Sequence, residues 1–469
     1  MLYYLFTWLH KIGLPGSGMF QYISFRSALA FVIALIISIL IGKYFIKYLR
    51  NKQIGESIRN LGLDGQEEKA GTPTMGGLII IAAILIPVLL LCNLHNIYII
   101  LMIFTTVWLG ALGFSDDYLK HKAKKEREKE KKRLEELNDL EGLKKLQESK
   151  SDKDGLAPRT KLLGQIILGL LVGAVVYFHP DAKICEKVNT KNAITPIESA
   201  IQISNSDVVN THNVFDAPHH STKTTIPFVK NNEFDYAWFT RWLGDKTGQW
   251  SFIVYILIVV FIIAAVSNGS NLTDGLDGLA TGTTSVIAVG IALLAYVSGN
   301  VIFANYLNIM YLPNIGELVI FISAVIGGCI GFYWWNCYPA QIFMGDTGSL
   351  TLGGIVAVSC IIIRKELLIP ILCGIYLVEA GSMLIQRYVF KFRKKRYGID
   401  YARAHKVFLM APLHHHFQKK YQQKFKDKYS DNKNMQSLFI GRYESKIVQR
   451  FIVIGLLLAV LTLVTLKVR

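Results

Sequence analysis

Cysteine pairs, internal repeats and several familiar catalytic motifs are missing from this chain of 469 residues. Its six cysteines are scattered and include no Cys-x-x-Cys pair, so neither a disulfide scaffold nor a zinc site of the usual spacing is indicated. No segment recurs at a fixed period, which excludes solenoid architectures. A His-Glu-x-x-His motif and the Walker A spacing are also absent, which argues against zinc peptidases and P-loop enzymes.

Apolar residues, in contrast, are abundant: they make up 52% of the chain, against roughly 45–50% in soluble domains. They are concentrated in long blocks with few charges. A helix of about 20 apolar residues crosses the hydrocarbon core of a bilayer, so we predict an all-α polytopic membrane protein with about ten transmembrane helices in one domain. Such repetition argues against buried helices of a large soluble protein. The blocks are 27–42, 78–92, 97–114, 162–178, 252–267, 279–298, 316–335, 348–363, 367–385 and 451–466.

The net charge of +17 is distributed unevenly across the predicted helices. Alternating the ten spans places 43–73, 116–161, 268–278, 336–347 and 387–446 on one side, with about 37 of the 51 Lys and Arg residues. Positive residues near span ends favour the cytoplasmic side, so we expect both termini on the periplasmic side. Anionic lipid headgroups and a phosphorylated substrate explain this charge better than nucleic acid does.

Polar segments and one terminal segment complete the organisation of the chain. Residues 1–10 lack the basic segment and cleavage site of a signal peptide and are expected to form a short interfacial helix. The charged insert at 121–158 is expected to form a helix or helical hairpin in the cytoplasm and to act as a spacer. The segment 179–249 is expected to be a loose periplasmic loop that ends in an aromatic patch at Tyr236, Trp238, Phe239 and Trp242.

Carboxylates beside a transmembrane span are costly, so each is a candidate functional group. Asp116 and Asp117 are adjacent at the end of the third span, and each raises the pKa of the other unless a cation neutralises them. A metal ion or Lys120, one helical turn further on, would provide that cation. From these local residues alone, solvated charges at a helix end explain the motif as well as an active site does.

A second acidic cluster, NGSNLTDGLDGLA, follows the fifth span. Asp274 and Asp277 are three residues apart, which places both on one face of a helical turn, with Asn271 just before them. The glycines around them allow tight bends and close approach of a ligand. The spacing of an EF-hand calcium loop and its distal Glu are missing, so we reject that alternative.

Three further motifs contain groups that bind anions or cations. The segment from Asn336 to Ser349 includes Asp346 in a Gly-Asp-Thr-Gly-Ser turn that opens a helix, where free N–H groups suit an anion and the carboxylate suits a cation. His414, His415 and His416 are consecutive and therefore do not converge on one metal, but they fit protonatable donors to a diphosphate. Finally, Lys69 precedes a loop rich in glycine and hydroxyl groups.

All of these motifs fall on the same predicted side of the membrane, which favours a shared active site. Together, KAGTPTMGG, DDYLK, NLTDGLDGLA, FMGDTGSL and APLHHHF resemble the polyprenyl-phosphate N-acetylhexosamine-1-phosphate transferases from about residue 20 to 467. The APLHHHF motif is similar to that of the muramoyl-pentapeptide branch rather than the GlcNAc-phosphate branch. The chain departs from the family pattern at 121–158, 179–249 and 391–410, which are longer than expected.

The resemblance implies a Mg²⁺-dependent enzyme of the bacterial inner membrane, with its active site facing the cytoplasm. It would transfer phospho-MurNAc-pentapeptide from UDP-MurNAc-pentapeptide to undecaprenyl phosphate, releasing UMP and forming lipid I for peptidoglycan synthesis. The catalytic residues implied are Asp116, Asp117, Asp346, Lys120 and His415, with Asp346 as the Mg²⁺ ligand. The substrate-binding residues implied are Lys69, Thr74, Lys161, Asn271, Asp274, Asp277, Asn336, Phe343, Gln386, His414 and His416.

Individual roles also follow from the resemblance. Asp116 and Asp117 would handle the lipid phosphate, and Phe343 would stack on uracil. The sequence leaves open whether Asp116 attacks the diphosphate covalently or deprotonates the lipid phosphate for direct attack. The sequence leaves the oligomeric state open, with a homodimer as one arrangement. A GlcNAc-1-phosphate transferase of the same superfamily and a secondary transporter are the alternative functions, and release of UMP would separate an enzyme from a transporter.

Overall fold

The computed structural model describes residues 1–52, 69, 71–137, 139, 155–187, 215–229, 233–242, 244, 249–428 and 433–467. Within these ranges the chain is almost entirely helical. The helices are α1 Leu2–Lys11, α2 Ile23–Asn51, α3 Gly77–Leu91, α4 Ile97–Glu136, α5 Pro158–Phe178, α6 Ala237–Trp242, α7 Ser251–Thr273, α8 Leu279–Ser298, α9 Val301–Leu307, α10 Gly316–Asn336, α11 Gly345–Ile362, α12 Ile369–Leu372, α13 Gly374–Tyr397, α14 Ile399–Ala404, α15 Leu413–Lys428 and α16 Lys433–Thr465.

The ten apolar blocks predicted from the sequence all lie in helices. Eight of the described helices are long and apolar enough to cross a membrane, namely α2, α4, α5, α7, α8, α10, α11 and α16. The block 367–385 is bent by 78° between Glu366–Leu372 and Gly374–Tyr397, and counts as a ninth span if the pair is taken together. The block 78–92 corresponds to α3, a shorter apolar helix of 15 residues. The predicted all-α polytopic class is therefore confirmed.

Helix α11 forms the centre of the molecule and carries the site at its first turn. Nearly all of its residues are buried, and it packs against α3, α4 and α7. Close packing is possible because small residues line the contacts. A Cβ on Gly113 of α4, for example, would lie only 2.4 Å from the carbonyl oxygen of Asp346. Glycine at this position therefore lets α4 bring its carboxylates directly against the start of α11.

The predicted helix in the charged insert is partly confirmed. Helix α4 does not end at the membrane span but continues without a break to Glu136, so residues 121–136 form a direct extension of the span. Ion pairs between side chains four residues apart, such as Lys131 and Glu135 at 3.5 Å, accompany this extension. Apart from Asp139, residues 138–154 of the insert, with Leu140, Leu143 and Leu146, lie outside the described residues.

The described part of 179–249 is more ordered than the loose loop predicted for it. Strands β1 (Lys223–Thr225) and β2 (Glu233–Asp235) pair antiparallel, and helix α6 follows. Trp238 and Trp242 are exposed as expected, but Tyr236 is buried, and its hydroxyl donates to Glu366 at 3.2 Å. Its place in the predicted aromatic patch was wrong, because this ring packs inward and fastens the segment to the α11–α12 connection.

Candidate functional site

Three carboxylates from two helices meet at the start of α11. Asp116 and Asp117 lie on α4, and Asp346 lies in the first turn of α11. One oxygen of each lies within 4.8 Å of those of the other two, an arrangement that could hold a metal ion. The side chain of Asp116 is fully buried and that of Asp346 is 17% exposed, so Asp346 is the more accessible of these two carboxylates. The two acidic motifs predicted separately from the sequence thus form one site.

Asp117 is held in place by the first turn of α11. Its Oδ1 accepts a hydrogen bond from the backbone N–H of Asp346 at 3.1 Å. Its Oδ2 accepts from the N–H of Thr347 at 2.9 Å and from the hydroxyl of Thr347 at 2.6 Å. The N–H groups that the sequence offered to a substrate anion are therefore bound to a carboxylate of the protein itself.

Two lysines lie between Asp116 and Asp346. The Nζ of Lys120 is 2.7 Å from Asp116 Oδ2 and 3.2 Å from Asp346 Oδ2. The Nζ of Lys161 is 2.7 Å from the same Asp116 oxygen and 2.5 Å from the same Asp346 oxygen. Lys120, one of the two cations considered for the acidic pair, therefore does contact Asp116. The two amines balance two carboxylates in a largely buried place, where charges of one sign alone would repel.

Backbone and amide groups complete this acidic centre. Asn271, at the end of α7, donates from Nδ2 to Asp346 Oδ1 and to Ser349 Oγ, both at 3.0 Å. The N–H of Leu156 donates to Asp116 Oδ1 at 2.7 Å. The Oδ1 atoms of Asp116 and Asp346 are thereby held by separate parts of the chain, while the two lysines share their Oδ2 atoms.

A second charged cluster contains Asp277 and Lys69. The amine of Lys69 lies 2.7 Å from Asp277 Oδ1 and 2.8 Å from Oε2 of Glu444 on α16. Gln418 on α15 donates to the other oxygen of Glu444 at 2.6 Å, and the Oε1 of Gln418 pairs with Nδ1 of His415 at 2.7 Å. A continuous network therefore joins the loop at 69–77 to the last two helices.

The ionisation of this second cluster is set by burial and by its partners. Burial alone would lower the pKa of Lys69, but Glu444 and Asp277 outweigh it and raise the pKa above the usual range, so the amine is a cation. Burial, with smaller contributions from His414 and Lys69, lowers the pKa of His415 to about 4. His415 is therefore neutral at pH 7 in this arrangement.

The aspartates of the second acidic motif lie in a turn rather than on one face of a helix. Helix α7 ends at Thr273 and α8 begins at Leu279, so the predicted helical turn at Asp274 and Asp277 was wrong. Gly278, immediately before α8, has φ of 80°, a left-handed conformation that suits glycine. The oxygen Oδ2 of Asp277 accepts from the N–H of Ala340 at 3.1 Å, which links this turn to the segment before Asp346.

Asn336 and Phe343 lie on the segment that connects the two clusters. The amide of Asn336 accepts from the N–H of Gly278 at 3.1 Å and from Thr281 at 2.8 Å, and it donates to the carbonyl of Ile342 at 2.9 Å. The backbone of Phe343 pairs with the loop that carries Thr74, since its N–H donates to Pro73 at 2.8 Å and its carbonyl accepts from Gly76 at 2.9 Å. Asn336 thus binds the backbone of both neighbouring segments, and the side chain of Phe343 is half-buried.

The remaining predicted site residues lie around α15 and are engaged in different ways. His414 is 1% exposed, and its Nδ1 pairs with Glu379 of α13 at 2.9 Å. Gln386 of α13 is bonded to the backbone of Phe408, accepting from its N–H at 3.0 Å. Nδ1 of His416 accepts from the N–H of Leu409 at 3.1 Å. These contacts hold the segment before α15 against α13.

Two carboxylates that touch this region were missed in the sequence. Glu444 lies near the start of the last span, Tyr443–Thr465, and Glu379 lies inside the ninth apolar block. Both satisfy the rule that flagged Asp116 and Asp117, namely that a carboxylate beside or within a span is costly unless it has a role. That rule applied to every span would have found them.

The chain is similar to known proteins both in its family profile and over its whole sequence. Residues 221–364 match the profile of Glycosyl transferase family 4, and residues 69–81 match phospho-N-acetylmuramoyl-pentapeptide-transferase signature 1. The chain is 50% identical over 473 residues to the phospho-N-acetylmuramoyl-pentapeptide-transferase of Parabacteroides distasonis. It is 49% identical to that of Flavobacterium psychrophilum and 46% identical to that of Bacteroides fragilis. Each alignment covers 100% of both chains.

Proposed function

The chain belongs to the phospho-N-acetylmuramoyl-pentapeptide-transferase family of peptidoglycan-synthesis enzymes, and we propose how its residues act on UDP-MurNAc-pentapeptide and undecaprenyl phosphate to give lipid I and UMP. The observation that carries this proposal is the convergence of Asp116, Asp117 and Asp346 with Lys120 and Lys161. Both reactants are anionic, so a site that joins them needs cations and carboxylates fixed in advance.

The carboxylates fit a hard divalent cation, and we assign Mg²⁺ to them. Mg²⁺ takes oxygen ligands and usually keeps several waters, using only one or two carboxylates of the protein. Asp346 is the best ligand because it is more accessible than Asp116. Asp117 is instead fixed to the backbone of α11 by two N–H groups. When bound, the ion would neutralise charge that develops on the diphosphate.

Lys120, Lys161 and Asp116 form the acceptor side in this proposal. An oxygen of the lipid phosphate bonds to the phosphorus that carries the sugar, and the bond from that phosphorus to the bridging oxygen breaks, so UMP leaves with the electron pair. The two lysines, now shared by Asp116 and Asp346, are placed to pair with the incoming phosphate instead. Asp117 acts on this step by fixing the first turn of α11.

The second cluster forms the donor side. Asp274, Asp277 and Asn271 would position the nucleotide and its diphosphate, and the ring of Phe343 would stack on uracil beside Thr74. Lys69 carries the positive charge that this side needs, and Asp277 with Glu444 holds it. His415 and His416 would contact phosphate or sugar, with His415 acting as a neutral hydrogen-bonding group at pH 7.

The location of the reaction is part of the proposal. The apolar helices make the chain a multi-pass membrane protein. We place it in the bacterial inner membrane with the site facing the cytoplasm, because the Lys-rich segments that flank the site favour that side.

A transfer assay tests the proposal directly. The purified enzyme is given undecaprenyl phosphate with UDP-MurNAc-pentapeptide or UDP-GlcNAc, with and without Mg²⁺, and both UMP and the lipid-linked product are measured. We expect equal amounts of the two products with the muramoyl substrate, only when Mg²⁺ is present. Transfer from UDP-GlcNAc at a comparable rate would instead support a GlcNAc-1-phosphate transferase, and product without any divalent ion would overturn the role of Asp346.

A further inference from the structure

Glu379 makes a buried contact that the transfer reaction as described does not use. It lies on α13 with 0% of its side chain exposed, and both of its oxygens face the first turn of α15. Oε1 accepts from the backbone N–H of His414 at 3.2 Å, and Oε2 pairs with Nδ1 of its imidazole at 2.9 Å. A carboxylate can only accept here, so Nδ1 carries the proton and the ring is held in one orientation.

The opposite edge of that imidazole lies against Gly275. A Cβ on Gly275 would lie 2.1 Å from Nε2 of His414 and 2.7 Å from Cε1, so no larger residue fits while the ring stays in place. Nε2 is buried and has no hydrogen-bond partner among the described residues. It therefore faces the backbone of the turn at 274–278 rather than an open binding space.

The same turn is joined to these helices by apolar packing. Leu276 belongs to a buried cluster with Leu279, Ile375 of α13 and Phe451 of α16, and Leu413 packs against it. The turn that carries Asp274 and Asp277 is thus supported from one side by α13 and α15, with the imidazole of His414 touching its glycine.

We infer that Glu379, His414 and Gly275 form a positioning unit that sets the place of Asp274 and Asp277 against the nucleotide. In this role Glu379 and His414 do not touch the substrate: Glu379 fixes the imidazole, and the imidazole fixes the turn. The inference rests on the proposed donor-side role of Asp274 and Asp277. It differs from the sequence expectation for His414, which was direct contact with phosphate or sugar.

A double-mutant cycle tests the contact. Gly275→Ala should collide with the imidazole and raise KM for UDP-MurNAc-pentapeptide by about tenfold or more, while KM for undecaprenyl phosphate changes by less than about twofold. His414→Asn keeps a donor near Nδ1 for Glu379 but removes the ring edge that meets Gly275. In the His414→Asn variant, adding Gly275→Ala should raise KM for UDP-MurNAc-pentapeptide by less than about a further twofold, since the two residues share one contact. Equal effects of Gly275→Ala in both backgrounds would overturn the unit. If His414→Asn does not accumulate, the same cycle with His414→Ala applies the same criterion.

Glu379→Gln tests the other link. Glutamine offers one acceptor oxygen where two N–H groups of His414 need one each, so the ring loses its fixed orientation. We expect the same selective rise in KM for the nucleotide. The matched control is Tyr376→Phe, one turn away on α13, which removes a buried hydrogen bond to Thr284 without touching His414. It should lower the melting temperature and leave both KM values unchanged.

The outcomes separate the two proposals. If Glu379→Gln only lowers the melting temperature, as Tyr376→Phe does, the positioning role is overturned even though the wild-type enzyme transfers phospho-MurNAc-pentapeptide. If Asp277→Asn leaves KM for the nucleotide unchanged in the same assay, the donor-side assignment itself fails.

Discussion

At the scale of single residues, Asp346 is the group on which the acidic centre converges. Lys120, Lys161 and Asn271 all contact its carboxylate. Asp346→Asn keeps the shape of the side chain but removes the charge that would hold Mg²⁺. We expect turnover to fall by several orders of magnitude, since metal-assisted charge stabilisation contributes several kcal/mol and about 1.36 kcal/mol corresponds to tenfold. Initial rates of UMP release measure this loss.

Asp116→Asn and Asp346→Asn should differ in their nucleotide binding when Mg²⁺ is titrated. Asp116→Asn should also stop turnover but spare Mg²⁺-dependent binding of the UDP-sugar, because its proposed partner is the lipid phosphate. Asp400→Asn, an exposed carboxylate on α14, is the control and should leave both measurements unchanged. If Asp346→Asn binds metal and nucleotide normally while Asp116→Asn loses that binding, the roles assigned to the two aspartates are the wrong way round.

His415 makes stability depend on pH. Its pKa is about 4 in the folded enzyme, below the usual value of 6.5, because it is buried. The unfolded chain therefore binds a proton that the folded enzyme does not between about pH 6.5 and 4. The contribution of His415 to stability is present above that window and is lost as the pH falls through it. Melting temperatures in detergent should drop less steeply over this range in His415→Asn than in wild type. His10→Asn, at an exposed histidine, should not alter the slope.

The sequence identified the types of residue in the site better than their partners. Asp116, Asp117 and Asp346 could be found because charge beside an apolar block is conspicuous. The capping of α11 by Asp117 and the pairing of Lys69 with Glu444 could not be found, because they join positions 229 and 375 residues apart. Such contacts are fixed by helix packing, which a single sequence does not state.

At the scale of elements, the end of the charged insert contacts the site. Leu156 donates its N–H to Asp116, and a Cβ on Gly155 would lie 2.5 Å from the same carboxylate. Replacing 122–152 with a Gly/Ser linker keeps both residues and removes most of the extension of α4. We expect substantial transferase activity in detergent, because the replaced residues carry no catalytic motif.

A second linker variant sharpens that test. A longer replacement that extends through position 156 and places proline there removes the backbone N–H that donates to Asp116, and it should lose most of the activity. Complete loss already in the shorter replacement, in a protein that still binds nucleotide, would show that the insert is more than a spacer.

The helices were predictable as elements because hydropathy over a span of 16–20 residues is a strong signal. The turn at 274–278 was not, since three-residue spacing fits a helical turn and a glycine-rich bend equally. The short strands β1 and β2 also escaped prediction: three residues each give no alternation to detect.

At the scale of the whole molecule, the orientation in the membrane stays a prediction that labelling can test. Single cysteines placed at 130–136, on the exposed extension of α4, should react with a membrane-impermeant thiol reagent only after permeabilisation. Cysteines placed at 200–215 should react in intact cells. Five of the six native cysteines are buried, so their background labelling should be low. The opposite pattern would put the site on the periplasmic side.

The length of α4 has a consequence for the bilayer around the enzyme. Asp116 lies 19 residues after Ile97 on one unbroken helix, which corresponds to about 29 Å along its axis. That distance is close to the hydrocarbon thickness of an ordinary bilayer, about 30 Å, so we expect the length of this helix to set the depth of the carboxylates relative to the plane of lipid phosphates. Hydrophobic mismatch should then act on catalysis. In proteoliposomes made from lipids of increasing acyl-chain length, turnover should pass through a maximum near the matching thickness, while detergent-solubilised enzyme should show no such optimum.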